Sequence, residues 1–153
     1  VVLIIAILTA IALPRYLAAA EKARASEAIL AIRTMRDAQR DYFLSSGQYS
    51  PNFKDLGITY PAGSAAGSSF TTKYFTYGIQ ETNDSERAHI YAYRGLSGEI
   101  GQWYIVTYLS KGLIECVAQK GIAPANDFCK KISSSDPVTC TIETGYNCYQ
   151  IYS

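Results

Sequence analysis

The sequence predicts an α+β fold: a long N-terminal helix packed on a four-stranded antiparallel sheet, followed by a disulfide-stapled C-terminal loop region. Three observations support this prediction. Residues 1–44 contain one proline and no glycine, four runs rich in Tyr, Ile and Val lie between residues 73 and 117, and all four cysteines fall in the last 38 residues. A chain of 153 residues is long enough for one domain with its own core.

The first part of the helix is apolar. Residues 1–13 carry no charge and a single hydroxyl, and 17 of the first 20 residues are apolar. We call residues 1–20 the stem. Thirteen helical residues rise about 20 Å, whereas a bilayer core of about 30 Å needs about 20 residues. We therefore expect the protein to carry on the order of seven or more further residues before Val1. A signal peptide and the core helix of a soluble protein are the competing interpretations. The helical pattern continues beyond the stem, which disfavours both.

Residues 21–45 form the second, amphipathic half of the helix. Good helix formers dominate, and apolar residues recur every three or four positions, which predicts one buried stripe. The stripe comprises Ala25, Ala28, Ile29, Ile32, Met35, Ala38 and Tyr42. The remaining charges predict a solvated face, with helical ion pairs such as Glu21 with Arg24 and Arg33 with Asp37. Alternatively, some of these charges meet neighbouring copies.

Pro14 lies inside the helix. A proline there removes one backbone hydrogen bond and clashes with the preceding turn, which predicts a kink or a local helix break. The stem could then swing or melt relative to the amphipathic half.

We assign residues 21–153 to one globular domain, whose amphipathic helix ends before Gly47, a typical helix stop. Residues 46–72 are rich in Gly, Pro, Ser and Ala and predict a connecting loop. The sheet is predicted over residues 73–118, with strands at 73–80, 88–94, 102–109 and 113–117. We assign residues 119–153 to a C-terminal loop. The many tyrosines are interpreted as half-buried strand and interface residues. A conductive aromatic chain is the alternative.

The four cysteines are Cys116, Cys129, Cys140 and Cys148. They show no metal-binding spacing, so we expect two disulfides and an oxidising compartment. Three pairings are open. We favour nearest-neighbour pairing, because Cys116 ends the last predicted strand and this pairing closes two short loops.

The remaining chemistry indicates no enzyme. His89 is the only imidazole and falls in a predicted strand, and the sequence has no nucleophile elbow, phosphate loop or dinucleotide motif. We expect no cofactor and no metal. Fourteen basic and 13 acidic residues give a net charge of +1, so no dedicated nucleic-acid site is expected either.

The segment from Val1 to Tyr16, with Ala10-Ile11-Ala12-Leu13-Pro14-Arg15-Tyr16, resembles the N-terminal segment of mature type IV pilins and secretion-system pseudopilins. A second stretch, residues 42–49 followed by Leu56-Gly57-Ile58, is similar to the helix exit of that superfamily. Together these stretches cover about the first third of the chain. The family's N-methylated first residue and nearby acidic residue have no counterpart here.

The resemblance implies a type IVa-like major pilin, a structural subunit of an extracellular type IV pilus. Such a subunit waits in the bacterial inner membrane, meets a prepilin peptidase and an assembly platform, and then polymerises with identical copies. Filament functions in this family include twitching motility and cell adhesion. Pilins also staple their C-terminal segment to the sheet, which is compatible with a disulfide here. The alternatives are a type II secretion pseudopilin and a membrane-tethered periplasmic binding module. The residues expected to pack in the filament core are Val1, Val2, Leu3, Ile4, Ile5, Ile7, Leu8, Ile11 and Leu13.

Overall fold

The computed structural model describes residues 2–59, 67–80, 82–94, 103–133, 135–140 and 144–151. Its elements, in chain order, are α1 (Val2–Ser46), a 3₁₀ turn (Phe53–Leu56), β1 (Ser69–Thr71), β2 (Thr76–Gln80), β3 (His89–Tyr93), β4 (Trp103–Tyr108), β5 (Ile114–Gln119), α2 (Ala123–Ser133), β6 (Val138–Thr139) and β7 (Tyr146–Ile151).

The long helix α1 ends where the sequence predicts. Gly47 adopts a φ of 75° and its N–H donates to the Phe43 carbonyl at 2.8 Å, a left-handed cap that favours glycine. α1 is continuous across Pro14, so this chain shows no interruption of the helix there. Proline removes a single N–H from the ladder, and the turns on either side keep their own bonds. Local melting at Pro14 during assembly stays a prediction.

The sheet has seven antiparallel strands in the order β1-β2-β3-β4-β5-β7-β6, not the four that the sequence predicts. The four predicted runs correspond to β2, β3, β4 and β5. The predicted loop at 119–153 contains α2, β6 and β7, and the predicted loop at 46–72 contains the 3₁₀ turn and β1. β7 pairs with β5 over six residues, from Ile114 opposite Ile151 to Gln119 opposite Tyr146. The structure therefore corrects the strand number and the description of the C-terminal region as loop.

The two helices cover one side of the sheet, which we call the inner face. α1 contacts β3 and β4, while α2 contacts β4, β5 and β7. The core between these layers is built around Trp103, Ile105, Ile90 and Ile32, which are all fully buried. The other side, the outer face, carries a smaller cluster centred on Val106, Tyr108, Val117 and Cys148.

Both disulfides have the nearest-neighbour pairing favoured from the sequence. Cys116 on the inner face of β5 is bonded to Cys129 in α2, and Cys140 is bonded to Cys148 in β7. The first bond ties α2 to the sheet, and Trp103 stacks on Phe128 of the same helix with ring centroids 4.5 Å apart. α2 is therefore a fixed part of the inner layer.

Candidate functional site: an exposed helical stem

The stem is the most unusual surface of the molecule. Among the described residues, α1 is the one helix that is long and apolar enough to cross a membrane, with a mean hydropathy of 2.1 over its most apolar window and none of that window buried. The predicted core-packing side chains within the described chain are each 52–83% exposed: Val2, Leu3, Ile4, Ile5, Ile7, Leu8, Ile11 and Leu13. Val1 lies outside the described residues.

The size of this exposure can be estimated. Fully burying one Val, Leu or Ile side chain is worth about 1.5–3 kcal/mol, so these eight side chains represent on the order of 10–20 kcal/mol. That is as large as the whole stability of a typical domain. Removing the stem from water would therefore yield a free energy comparable to that stability.

The amphipathic half of α1 fixes the stem to the globular part. Ala25, Ala28, Ile32 and Met35 are buried at spacings of three and four, which confirms this portion of the predicted stripe. Ala25 and Ala28 are small, so the helix axis can lie close to the sheet. The stem continues from this packed helix without interruption, so its direction is set by the domain.

A buried ion pair lies at the junction between stem and domain. Arg94, next to β3, is 1% exposed, and its Nε and Nη2 donate to the two carboxylate oxygens of Glu21 at 3.1 and 2.8 Å. Its Nη1 donates to the Tyr74 carbonyl at 2.9 Å. Glu21 is 8% exposed and also accepts from Arg24. We call Glu21, Arg24, Tyr74 and Arg94 the junction cluster.

Three cationic side chains surround the Tyr74 ring of the junction cluster. The guanidinium carbons of Arg24 and Arg94 lie 4.4 and 5.4 Å from the centroid of Tyr74. Lys73 is 5.2 Å from the same ring, and its interaction with Tyr74 lowers the pKa of that phenol. Two of these cations, Arg24 and Arg94, also donate to the Glu21 carboxylate. The cluster binds the first turn of the amphipathic half to the end of β3.

These charges differ in part from the solvated face expected from the sequence. The predicted pair of Glu21 with Arg24 is present, but Glu21 is buried and its main partner is Arg94. The predicted pair of Arg33 with Asp37 is wrong, because within the described chain Asp37 contacts Arg36 instead. Sequence reasoning could not find Arg94, which lies 73 positions from Glu21.

A second polar contact holds the other end of the buried stripe. The Gln39 side chain is fully buried, donates to the Ser50 carbonyl at 2.7 Å and accepts from the Ser50 N–H at 2.9 Å. Arg36, in the same half of α1, donates to the Gly112 carbonyl at 2.9 Å in the turn between β4 and β5. Because such paired bonds require one register, they fix α1 both along and around its axis.

An apolar groove of about 630 Å³ separates the base of the stem from α2. Its apolar lining consists of Ala18, Ala19, Pro124, Phe128 and Ile132, and its charged lining consists of Glu21, Lys22, Asp127 and Lys131. The groove is continuous with the exposed stem surface.

One residue that orders α2 was not expected from the sequence. The Asn126 amide donates to the carbonyls of Gln119 and Ile122, both at 2.8 Å, and its Oδ1 accepts from Asn147 and the Tyr149 hydroxyl at 2.7 and 2.9 Å. All four hydrogen bonds available to an amide side chain are thus formed. These bonds hold α2 in place, and α2 forms one wall of the groove.

No protein family, curated protein or solved structure gave a match to the chain. The fold itself defines a single α+β domain whose long N-terminal helix begins with an exposed apolar segment.

Proposed function

We propose that this chain is a structural subunit of an extracellular type IV pilus and that it polymerises through its stem. The observation that carries the proposal is the exposed apolar stem, held in a fixed direction by a packed helix. Before assembly, lipid of the bacterial inner membrane covers the stem. In the filament, the stems of identical copies cover one another.

The free-energy cost of moving the stem into water supports a direct transfer from the membrane to the filament. Lipid tails and aliphatic side chains are similarly apolar, so a stem can move from a bilayer into a bundle of stems with little change in solvation. Moving it into water instead would cost on the order of 10–20 kcal/mol. Processing by a prepilin peptidase and assembly by a platform, both at the membrane, would keep the stem out of water.

The sheet itself is poorly suited to polymerisation. Its edge strands, β1 and β6, are three and two residues long. Short edge strands offer few unpaired backbone groups to a second chain, which is a common protection against edge-to-edge association. The stem and the adjoining groove are therefore the better candidates for contacts between copies.

The disulfides support a location outside the cytoplasm for the globular part. The bonds Cys116–Cys129 and Cys140–Cys148 fix the C-terminal region against β5 and β7. Bonds of this kind form and persist in oxidising compartments. The domain would then form the outer layer of a fibre whose centre contains the stems.

Assembly can be tested with a matched pair of substitutions. Thr9 and Ser26 are both exposed α1 residues whose hydroxyls donate to the carbonyl four residues earlier. The purified full chain should form fibres on negative-stain micrographs when detergent is removed. Thr9→Glu, which adds a charge to the stem, should abolish fibres, whereas Ser26→Glu should keep them.

Three results would count against the proposal. The full chain could stay dispersed under assembly conditions, Thr9→Glu could assemble normally, or the stem could serve only as a tether. In the last case, a chain without residues 1–20 would retain its biological activity. Imaging of producing cells for long surface fibres separates a pilus from the short assembly of a secretion pseudopilin.

A further inference from the structure

The outer face of the sheet contains an aromatic cleft that filament assembly through the stem does not use. Its volume is about 240 Å³. The lining residues come from four strands and their ends, and we call them the aromatic cleft: Gln80, His89, Tyr91, Tyr93, Tyr104 and Tyr146. They share one face because Gln80 is opposite His89 and Tyr93 is opposite Tyr104 in the strand register.

The floor of the cleft depends on a glycine. Gly78 lies opposite Tyr91, and a Cβ atom built at Gly78 would overlap the Tyr91 ring. The missing side chain therefore lets this ring lie across β2 instead of standing away from the sheet. On the other side, Tyr104 and Tyr146 form an edge-to-face pair with centroids 6.1 Å apart. The cleft is thus walled by ordered rings.

Polar groups of the cleft are defined as well. His89 is 8% exposed, and its Nδ1 is 2.7 Å from the Arg87 carbonyl, which can only accept. Nδ1 is therefore the donor in that bond, and Nε2 is the acceptor that the ring can offer to a ligand. Gln80 adds an amide that both donates and accepts. The six described lining residues include no Lys, Arg, Asp or Glu.

We propose that the aromatic cleft binds a neutral pyranose ring of a glycan. Aromatic faces carry a negative quadrupole, so they attract the polarised C–H groups on one face of a sugar ring. Hydroxyl groups around the ring can then bond to His89 Nε2, the Gln80 amide and the phenol groups. A volume of 240 Å³ is below the range of about 300–1,000 Å³ typical of drug-sized ligands, which suits one sugar residue.

The same chemistry disfavours other ligands. A nucleotide or a phosphorylated sugar needs cations for its phosphate, and the described lining residues supply none. A purely apolar ligand would offer no hydrogen bond to His89 Nε2 or to the Gln80 amide. Tyr93 is 47% exposed, so a sugar at the end of a longer glycan can reach it from solvent.

The test uses the full chain in a detergent without a sugar head group, such as an amine oxide, because a glycosidic detergent would compete. Saturation-transfer NMR is recorded with the methyl β-glycosides of glucose, galactose, mannose and N-acetylglucosamine. We expect saturable binding to at least one of these probes with a millimolar or tighter dissociation constant. Tyr93→Ala and Tyr104→Ala should each weaken it about tenfold. Tyr42→Ala, at a half-buried tyrosine on α1 that does not line the cleft, is the matched control and should bind normally.

Three results would overturn the proposal. One is the absence of saturable binding to every probe. Another is undiminished binding by both cleft variants with normal circular dichroism. The third is a parent chain that binds no glycoside while Tyr93→Ala differs from it in oligomeric state, which would identify the outer face as an interface between copies. Because the readout is binding by the dispersed chain, it is independent of whether fibres form.

Discussion

Replacing Arg94 with methionine should destabilise the domain strongly, because Arg94 is the buried partner of Glu21. The change removes two hydrogen bonds to Glu21, at 3.1 and 2.8 Å, and one to the Tyr74 carbonyl at 2.9 Å. Methionine keeps much of the aliphatic volume, so the loss is mainly electrostatic. It leaves a carboxylate that is 8% exposed with Arg24 as its remaining partner.

Removing one member of a buried ion pair costs about 3–5 kcal/mol. Because Arg24 stays in contact with Glu21, we expect the lower end, about 3 kcal/mol. For a chain of this size that corresponds to a fall of roughly 10 °C in the melting temperature. Since the pair is buried, added salt should change the difference little.

The assay is thermal unfolding of the full chain in detergent, followed by circular dichroism, for Arg94→Met, Glu21→Leu and the double variant. Replacing both members by apolar residues removes the unpaired charge, so the double variant should unfold within about 1 kcal/mol of the parent chain. Arg24→Met, at a more exposed site of the same cluster, should have a smaller effect than Arg94→Met. The reasoning is refuted if Arg94→Met melts like the parent chain or if the two single losses simply add.

Three further outcomes are expected from the globular part. Burial raises the pKa of Glu115 above its ordinary value of 4.5, so the folded state holds this proton more tightly than the unfolded state does. The folded domain therefore loses stability as the pH rises and the carboxyl ionises. Glu115→Gln should therefore gain stability relative to the parent chain as pH rises above about 4.5 in a melting series, and parallel pH curves would contradict this. Replacing Cys116 and Cys129 by serine should cost about 3 kcal/mol in denaturant unfolding and accelerate amide exchange in α2, whereas unchanged exchange there would be inconsistent with the staple. Gly78→Ala should destabilise the sheet by about 1–3 kcal/mol through its overlap with the Tyr91 ring, and combining it with Tyr91→Ala should remove most of that overlap penalty; an unchanged melting point in Gly78→Ala would refute the packing argument.

Local patterns account for the features that the sequence predicted well. The extent of α1 follows from a run of helix formers and a capping glycine, and its buried stripe follows from the helical period. Strands β2 to β5 were found because each is a run of β-branched and aromatic residues between polar turns. These signals need no knowledge of distant partners.

The missed elements depend on distant partners. β7 is a short run with asparagine and glutamine, and it is a strand because it completes the edge of β5. α2 did have a local signal, since Pro124 lies in its first turn and Lys130 and Lys131 lie in its last turn. The ion pair of Glu21 with Arg94 joins residues 73 positions apart, which no local pattern can reveal.

The position of the stem within a fibre tests the central claim most directly. A helical reconstruction by electron cryomicroscopy of fibres grown from the full chain would locate both the helix and the sheet. We expect residues 2–20 at the fibre axis, packed against the stems of neighbouring copies, with the outer face of the sheet directed away from the axis. Stems on the fibre surface, or copies joined through the edges of their sheets, would contradict assembly through the stem.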